Sequence, residues 1–162
     1  MADVSAKRVT RRVAVAGGRI RVGAEAFERI REGDMPKGDP LAMAEIAGIQ
    51  AAKQTPALIP LCHPISLNRV QIHSVLRAEE QAVDLYCVAE IAEKTGVEME
   101  ALTGLSVALL TIWDLTKPVN PALEITGQRL LFKSGGKHGS WVHPEGLPDE
   151  VKAILEELGI AL

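Results

Sequence analysis

Apolar positions along the chain follow two different periods, and the switches between them mark out its elements. Ala24, Phe27 and Ile30 stand three apart, which predicts a helix over about 24–31. Gly33 and Pro36 end it. In the turn 36–40, Asp39 is placed to cap the next helix and Pro40 to open it. That helix runs through an alanine-rich stretch to about Lys53, with Ile46, Ile49 and Gln50 on neighbouring turns. Leu58 to Pro64 contains two prolines four apart, which neither a helix interior nor a central strand tolerates. It reads as an ordered loop with an apolar lining.

Period two then takes over. Val70, Ile72 and Leu76 alternate with Arg69, Gln71, His73 and Arg77. After the turn Glu79-Glu80-Gln81, Val83, Leu85, Cys87, Ala89 and Ile91 alternate with Asp84, Tyr86 and Glu90. Both read as half-buried strands, joined as a hairpin. Residues 98–117 hold a helical period through Met99, Leu102, Leu105, Leu109 and Ile112, until Pro118 and Pro121 stop it. A strand over 122–133 and a short amphipathic helix between Pro148 and Leu158 complete the chain. With a first strand within 11–22, the middle becomes βαββαβ. The predicted fold class is α+β, a ferredoxin-like core with extra helices and an antiparallel sheet covered by helices. No repeat or linker interrupts it, so residues 1–162 read as one domain.

Composition narrows the function classes more than the fold. Of 162 residues 47% are hydrophobic, enough for a core, and no uninterrupted apolar run reaches membrane-spanning length. The opening Met-Ala-Asp-Val-Ser-Ala-Lys-Arg has no signal-peptide core, and two cysteines suit a reducing compartment. A cytoplasmic protein with no membrane partner is expected. The 18 basic and 21 acidic side chains leave a net charge of −3, which disfavours a nucleic-acid binder. Aromatics at 3% leave few platforms for stacking bases. Yet Lys7, Arg8, Arg11, Arg12, Arg19 and Arg21 crowd the first 21 residues, a basic segment that either solvates a surface or meets an anion.

Candidate chemistry gathers in loops and at element ends. Lys37 lies beside a helix N-terminus, a ready anion site, though taken alone a solvated turn is the commoner explanation of such a lysine. His63, next to Cys62 and between two prolines, suits a proton shuttle or a phosphate contact; no ligand spacing supports a metal. Glu98 and Glu100 open the long helix, where acidic residues are ordinary complements of the helix dipole but can also serve as acid and base. Asp114 and Lys117 sit one turn apart near its other end. A surface ion pair is the plain reading. Because Asp114 follows Ile112-Trp113, partial desolvation is expected, with the direction of its pKa shift left open. Lys133-Ser-Gly-Gly-Lys137-His138-Gly139 is not a P-loop but suits a looser phosphate cradle.

Fourteen residues separate Glu100 from Asp114, about 21 Å at a rise of ~1.5 Å per residue, and close to four whole turns. The two carboxylates therefore share a side of the helix but cannot grip the same end of one small ligand. An antiparallel copy of the helix from a second subunit would bring Glu100 of one chain near Asp114 of the other. A two-fold dimer with a composite site is expected.

Several blocks together resemble a known family. Met-Ala-Asp-Val-Ser-Ala-Lys at the start, Lys37-Gly-Asp, Ala47-Gly-Ile-Gln-Ala-Ala-Lys53, Ile59-Pro-Leu-Cys-His63-Pro, Thr95-Gly-Val-Glu-Met-Glu-Ala-Leu-Thr103 and Lys133-Ser-Gly-Gly-Lys137 are similar to the cyclic pyranopterin monophosphate synthases of molybdenum cofactor biosynthesis, over about residues 3–141. The resemblance implies conversion of 3′,8-cyclo-7,8-dihydro-GTP into cyclic pyranopterin monophosphate with release of pyrophosphate. It implies a homo-oligomer, dimers assembled into a hexamer, with active sites between subunits. It assigns catalytic roles to Asp114, Lys117 and Lys37. Substrate contacts fall to Leu61, Cys62, His63, Glu98, Met99, Glu100, Arg12 and Lys133. No protein-bound cofactor or metal is required, and a magnesium ion could accompany the triphosphate. Pro118 departs mildly from the family pattern, and the tail after about Pro144 matches none of its motifs. The competing readings are a non-catalytic nucleotide-binding regulatory domain on the same fold, an RNA-recognition module and a purely structural subunit. Asp114 beside Lys117, the shortage of sheet aromatics and the polar loop clusters argue against them in turn.

Overall fold

A computed structural model describes all residues, 1–162. The strands are β1 (Thr10–Arg21), β2 (Arg69–Arg77), β3 (Ala82–Glu93), β4 (Glu124–Ser134) and β5 (Trp141–Val142). The helices are α1 (Ala24–Glu32), α2 (Pro40–Lys53), α3 (Thr55–Leu58), α4 (Glu98–Thr116) and α5 (Asp149–Glu157). One antiparallel sheet has the order β2-β3-β1-β4-β5. It contains the expected βαββαβ unit with extra helices, so the α+β ferredoxin-like reading holds.

The central strand β1 pairs along its whole length with β3, from Thr10 opposite Glu93 to Arg21 opposite Ala82. Its other edge meets β4 with register shifts at Val15/Ala16 and Gly17/Arg19. These shifts let Gly17 pass Leu131; a Cβ there would stand 2.6 Å from Leu131 Cδ1.

Helices α2 and α4 cover one face of the sheet. The main core joins Ala14, Ala16 and Ile20 of β1 and Leu85, Cys87 and Ile91 of β3 to Leu105, Leu109 and Ile112 of α4. The small residues of α2 have a packing reason. A Cβ at Gly48 would lie 3.0 Å from Gly104 O, and one at Gly104 would lie 3.0 Å from Gly48 O and 2.9 Å from Cys87 Sγ. The two helices thus cross in backbone contact, and no rotamer can relieve a larger side chain against a backbone atom. Replacement of Gly104 by Val is expected to cost about 3 kcal/mol, read as a loss of denaturation midpoint. A wild-type midpoint would mean that the crossing is looser than this geometry. By length and composition α4 could cross a membrane, but half of that stretch is buried, facing α2 and the sheet.

Sequence periodicity underestimated the other sheet face. β3 is buried on both sides, with Tyr86 and Val88 on one face and Leu85 and Cys87 on the other. The cause is α5, whose Val151, Ile154, Leu155 and Leu158 close a second cluster over Val13, Val15, Tyr86, Val88, Leu131 and Phe132. Burial works to raise the Asp84 carboxyl, but hydrogen bonds from Arg19 (2.6 Å) and Arg77 (2.8 Å) hold it below the ordinary range. Tyr86 and Phe132, the aromatics of β3 and β4, lie under α5, which leaves Trp141 of the short edge strand β5 as the sheet's one exposed aromatic, too little for a base-stacking platform. Two short elements lacked a periodic signal: the single turn α3, ahead of the proline loop, and the two-residue β5.

Candidate active site

The proposed site residues fall into two groups at opposite ends of α4. At its C-terminal end, Lys37 in the α1–α2 turn reaches across to Asp114. Its Nζ donates to Asp114 Oδ2 and to the Asp114 carbonyl, both at 3.2 Å. Lys117 Nζ lies 2.6 Å from Asp114 Oδ1. The turn holds Lys37 in place because Asp39 caps α2, its Oδ1 accepting from the backbone N–H of Leu41 (2.9 Å) and Ala42 (3.3 Å). These N–H groups are therefore spent on the cap, and in place of a helix-start anion site or a merely solvated turn the structure shows a lysine–carboxylate–lysine row.

Asp114 also departs from expectation in being half-exposed, with 52% of its side chain accessible. It projects from the end of α4, while of its two apolar neighbours Ile112 is fully buried in the core and Trp113 only partly so. Hydrogen bonds from Lys117 and then Lys37 hold its carboxyl below the usual range. It is an anion flanked by two ammonium groups, held ionised by them and placed to orient both lysines.

At the N-terminal end of α4, β1, β4 and the glycine-rich loop enclose a cleft of about 720 Å³. Lys133 Nζ donates to Glu98 Oε1 at 2.9 Å. Arg12 donates to the carbonyls of Glu93 (3.0 Å) and Lys94 (3.2 Å), which fixes its guanidinium against the loop. Gly135 and Gly136 both have positive φ, and a Cβ on Gly136 would lie 2.6 Å from Arg12 Nη1. Only a residue without a side chain lets the loop backbone come this close to the cation.

Glu100 differs from an ordinary helix-start acid. It is 3% exposed, and burial, with Glu98 adding a smaller push, raises its carboxyl above the usual range. Burial likewise raises the Cys62 thiol, assisted by the Glu100 charge, so the proline loop lies beside α4 at this end. The His63 ring Nε2 is 2.8 Å from the Ala2 carbonyl, tying that loop to the N-terminal segment. Leu61 and Met99 are exposed apolar residues of the same end.

Lys137 and His138 of the glycine-rich segment line this cleft, and with them Asp3, Lys7 and Arg8, which the sequence did not tie to that segment. The basic opening was visible as a charge cluster. That it lies alongside the glycine-rich loop follows only from β1 pairing with β4.

The raised Glu100 carboxyl has a stability consequence. Its protonated form is favoured in the fold, so the fold is penalised as pH rises past the ordinary Glu value of ~4.3. Glu100→Gln is therefore expected to melt above wild type at pH 8, with the difference vanishing toward pH 4. Equal melting temperatures at pH 8 would show that Glu100 carries no burial penalty.

The MoaC family model matches residues 1–136. The chain belongs to the MoaC family. The chain is similar to a cyclic pyranopterin monophosphate synthase of Heliobacterium modesticaldum, at 48% identity over 145 residues, covering 90% of this chain and 91% of the relative. A synthase of the same name from Roseiflexus sp. strain RS-1 is 49% identical over 143 residues, covering 88% of this chain and 90% of its own. A molybdenum cofactor biosynthesis bifunctional protein of Synechococcus elongatus is 46% identical over 149 residues, covering 92% of this chain and 47% of its own. The non-catalytic regulatory reading is not favoured by membership of the MoaC family.

Proposed function

We infer that the chain is a cyclic pyranopterin monophosphate synthase of molybdenum cofactor biosynthesis, a lyase that converts 3′,8-cyclo-7,8-dihydro-GTP into cyclic pyranopterin monophosphate and pyrophosphate. The observation that carries the reading is the row Lys37–Asp114–Lys117, supported by the similarity to synthases along nearly the whole chain. A ribose hydroxyl attacks the α-phosphorus, the new P–O bond closes the cyclic phosphate, and the bond to the β-phosphate breaks to release pyrophosphate. Lysine and arginine stabilise the charge that grows on that leaving group. Lys133 and Arg12 are suited to hold phosphates, with Lys37 and Lys117 beside the reacting centre. Ring opening and reclosure need proton transfers, for which ionised Asp114 is a base and buried Glu100 an acid, with His63 as a relay.

We propose no resident cofactor. Glu98 is bonded to Lys133 and Asp114 to two lysines, so these carboxylates already have cationic partners; a magnesium ion would arrive with the triphosphate. We also propose a dimer whose sites are shared between subunits, assembled further into a hexamer, in the cytoplasm. Exposed apolar Met43 and Ile46 on α2 and Met99 and Leu110 on α4 support it, since monomers seldom leave such a set facing water. Incubating the pure protein with the cyclised GTP and measuring pyrophosphate and the pterin product tests the activity. Absence of both products would overturn it.

A further inference from the structure

We propose that α5, beyond the residues the family model matches, is a positioning element for the phosphate-facing cations and the glycine-rich loop. The inference rests on reading the cleft beside Lys133 as the phosphate side of the site.

The argument starts from strand alternation. Successive side chains of a strand point to opposite faces. Arg12 on β1 and Lys133 on β4 line the cleft. Their strand neighbours, Val13 and Phe132, are fixed in the cluster that α5 closes on the far face. Arg11 also turns to that face, where its Nη2 donates to the Leu158 carbonyl at 3.1 Å and its Nε to Glu90 Oε1 at 2.7 Å. The strand segments that carry the two cations thus have α5 as their back plate. At its other end α5 is fixed by Glu150, whose Oε1 accepts from Arg77 Nη2 at 2.5 Å.

The loop is held by the same device. Residues 135–140 leave β4 and return through β5, where Phe132 pairs with Val142 and Lys133 with Trp141. The His143 N–H donates to the Leu131 carbonyl at 2.9 Å. Two residues of pairing are too few to hold a loop closed alone. Leu131 and Phe132, on the β4 side of this neck, are buried under α5. Beyond β5 a six-residue turn, 143–148, leads the chain into α5. Across the sheet, a Cβ on Gly135 would come 2.3 Å from the Arg11 carbonyl, so loop and β1 are in backbone contact at the residue that clasps α5. A shift of α5 must therefore be felt at Lys133, Arg12 and the loop before it is felt at Asp114.

Two substitutions in the full-length protein test this, with Ile30→Ala in α1 as a control of comparable loss in melting temperature. Leu155→Ala opens a cavity under α5. Arg11→Gln removes the clasp on Leu158 without touching the core and remains informative if the first variant fails to fold. Hydrogen exchange of the 134–140 amides is expected to rise about tenfold in the α5 variants and to stay at the wild-type rate in the control. KM for the cyclised GTP is expected to rise about fivefold with kcat within about twofold, and Leu155→Met should restore both exchange and KM. Melting losses matched by the control, with the loop exchange and KM unchanged in both α5 variants, would overturn the proposal. Exchange is measured without substrate. A wild-type protein that makes no product but still shows the loop effect would refute the synthase reading and support the coupling of α5 to the loop.

Discussion

Asp114→Asn is expected to lower turnover of the cyclised GTP by 100-fold or more, with the fold intact. A positioned acid–base group contributes about 10²–10⁴-fold, and Asn keeps the size of Asp while losing both the charge and the basicity. Asp114 is half-exposed and belongs to neither apolar cluster, so its loss leaves the packing untouched. Surface ion pairs contribute little to stability, and the melting temperature should stay close to wild type. The same substitution releases Lys37 and Lys117, each bonded to the carboxylate. Lys117→Ala separates the two roles. If Asp114 acts as a base, its variant should lose the acid limb of the pH–rate profile, whereas the lysine variant should keep that limb at a lower plateau. Because both lysines hold the carboxyl below its ordinary value, the limb in the wild type should lie below the usual Asp range, and Lys117→Ala should move it upward. Wild-type turnover in Asp114→Asn would remove this residue from the chemistry.

How much of this was legible beforehand depended on the distance over which each signal acts. The strands β2 and β3 and the helix α4 were readable because period two and period 3.6 are local properties of the chain. The start of α2 was readable because Asp39 and Pro40 act within one turn. Glu100 and Asp114 could be placed at opposite ends of one helix by counting residues. By contrast, the burial of Tyr86 and Val88 depends on α5, which begins only at Asp149, so alternation alone made β3 half-exposed. The exposure of Asp114 was misread because its apolar neighbours Ile112 and Trp113 follow a different radial direction around the helix. The pairing of Lys37 with Asp114 spans 77 positions, and nothing local announces it; the resemblance named both residues without saying that they touch. The assembly of Asp3, Lys7 and Lys137 around one cleft likewise needs β1 and β4 to be neighbours, a property of topology rather than of any segment.

Mixing Glu100→Gln with Asp114→Asn protein is expected to restore activity that neither has alone. Acid–base groups must come within about 3 Å of the proton they move. Glu100 and Asp114 stand about 21 Å apart along α4, so one chain cannot bring both to the same reacting atoms. In a two-fold dimer with α4 paired antiparallel, each site takes Glu100 from one chain and Asp114 from the other. A mixed dimer then has one site with both residues intact and one with both replaced. With random exchange at equal amounts, half of the dimers are mixed, so recovery should approach about a quarter of wild-type activity. In such a dimer the exposed apolar side chains of α2 and α4 would form the contact, and Leu110→Glu in that face should abolish the recovery by keeping the chains apart. Heterodimers isolated with two different tags and found inactive would place each site within a single chain. The two ends of α4 would then have to serve different parts of the substrate or different steps, and the lysine–aspartate row would act without Glu100.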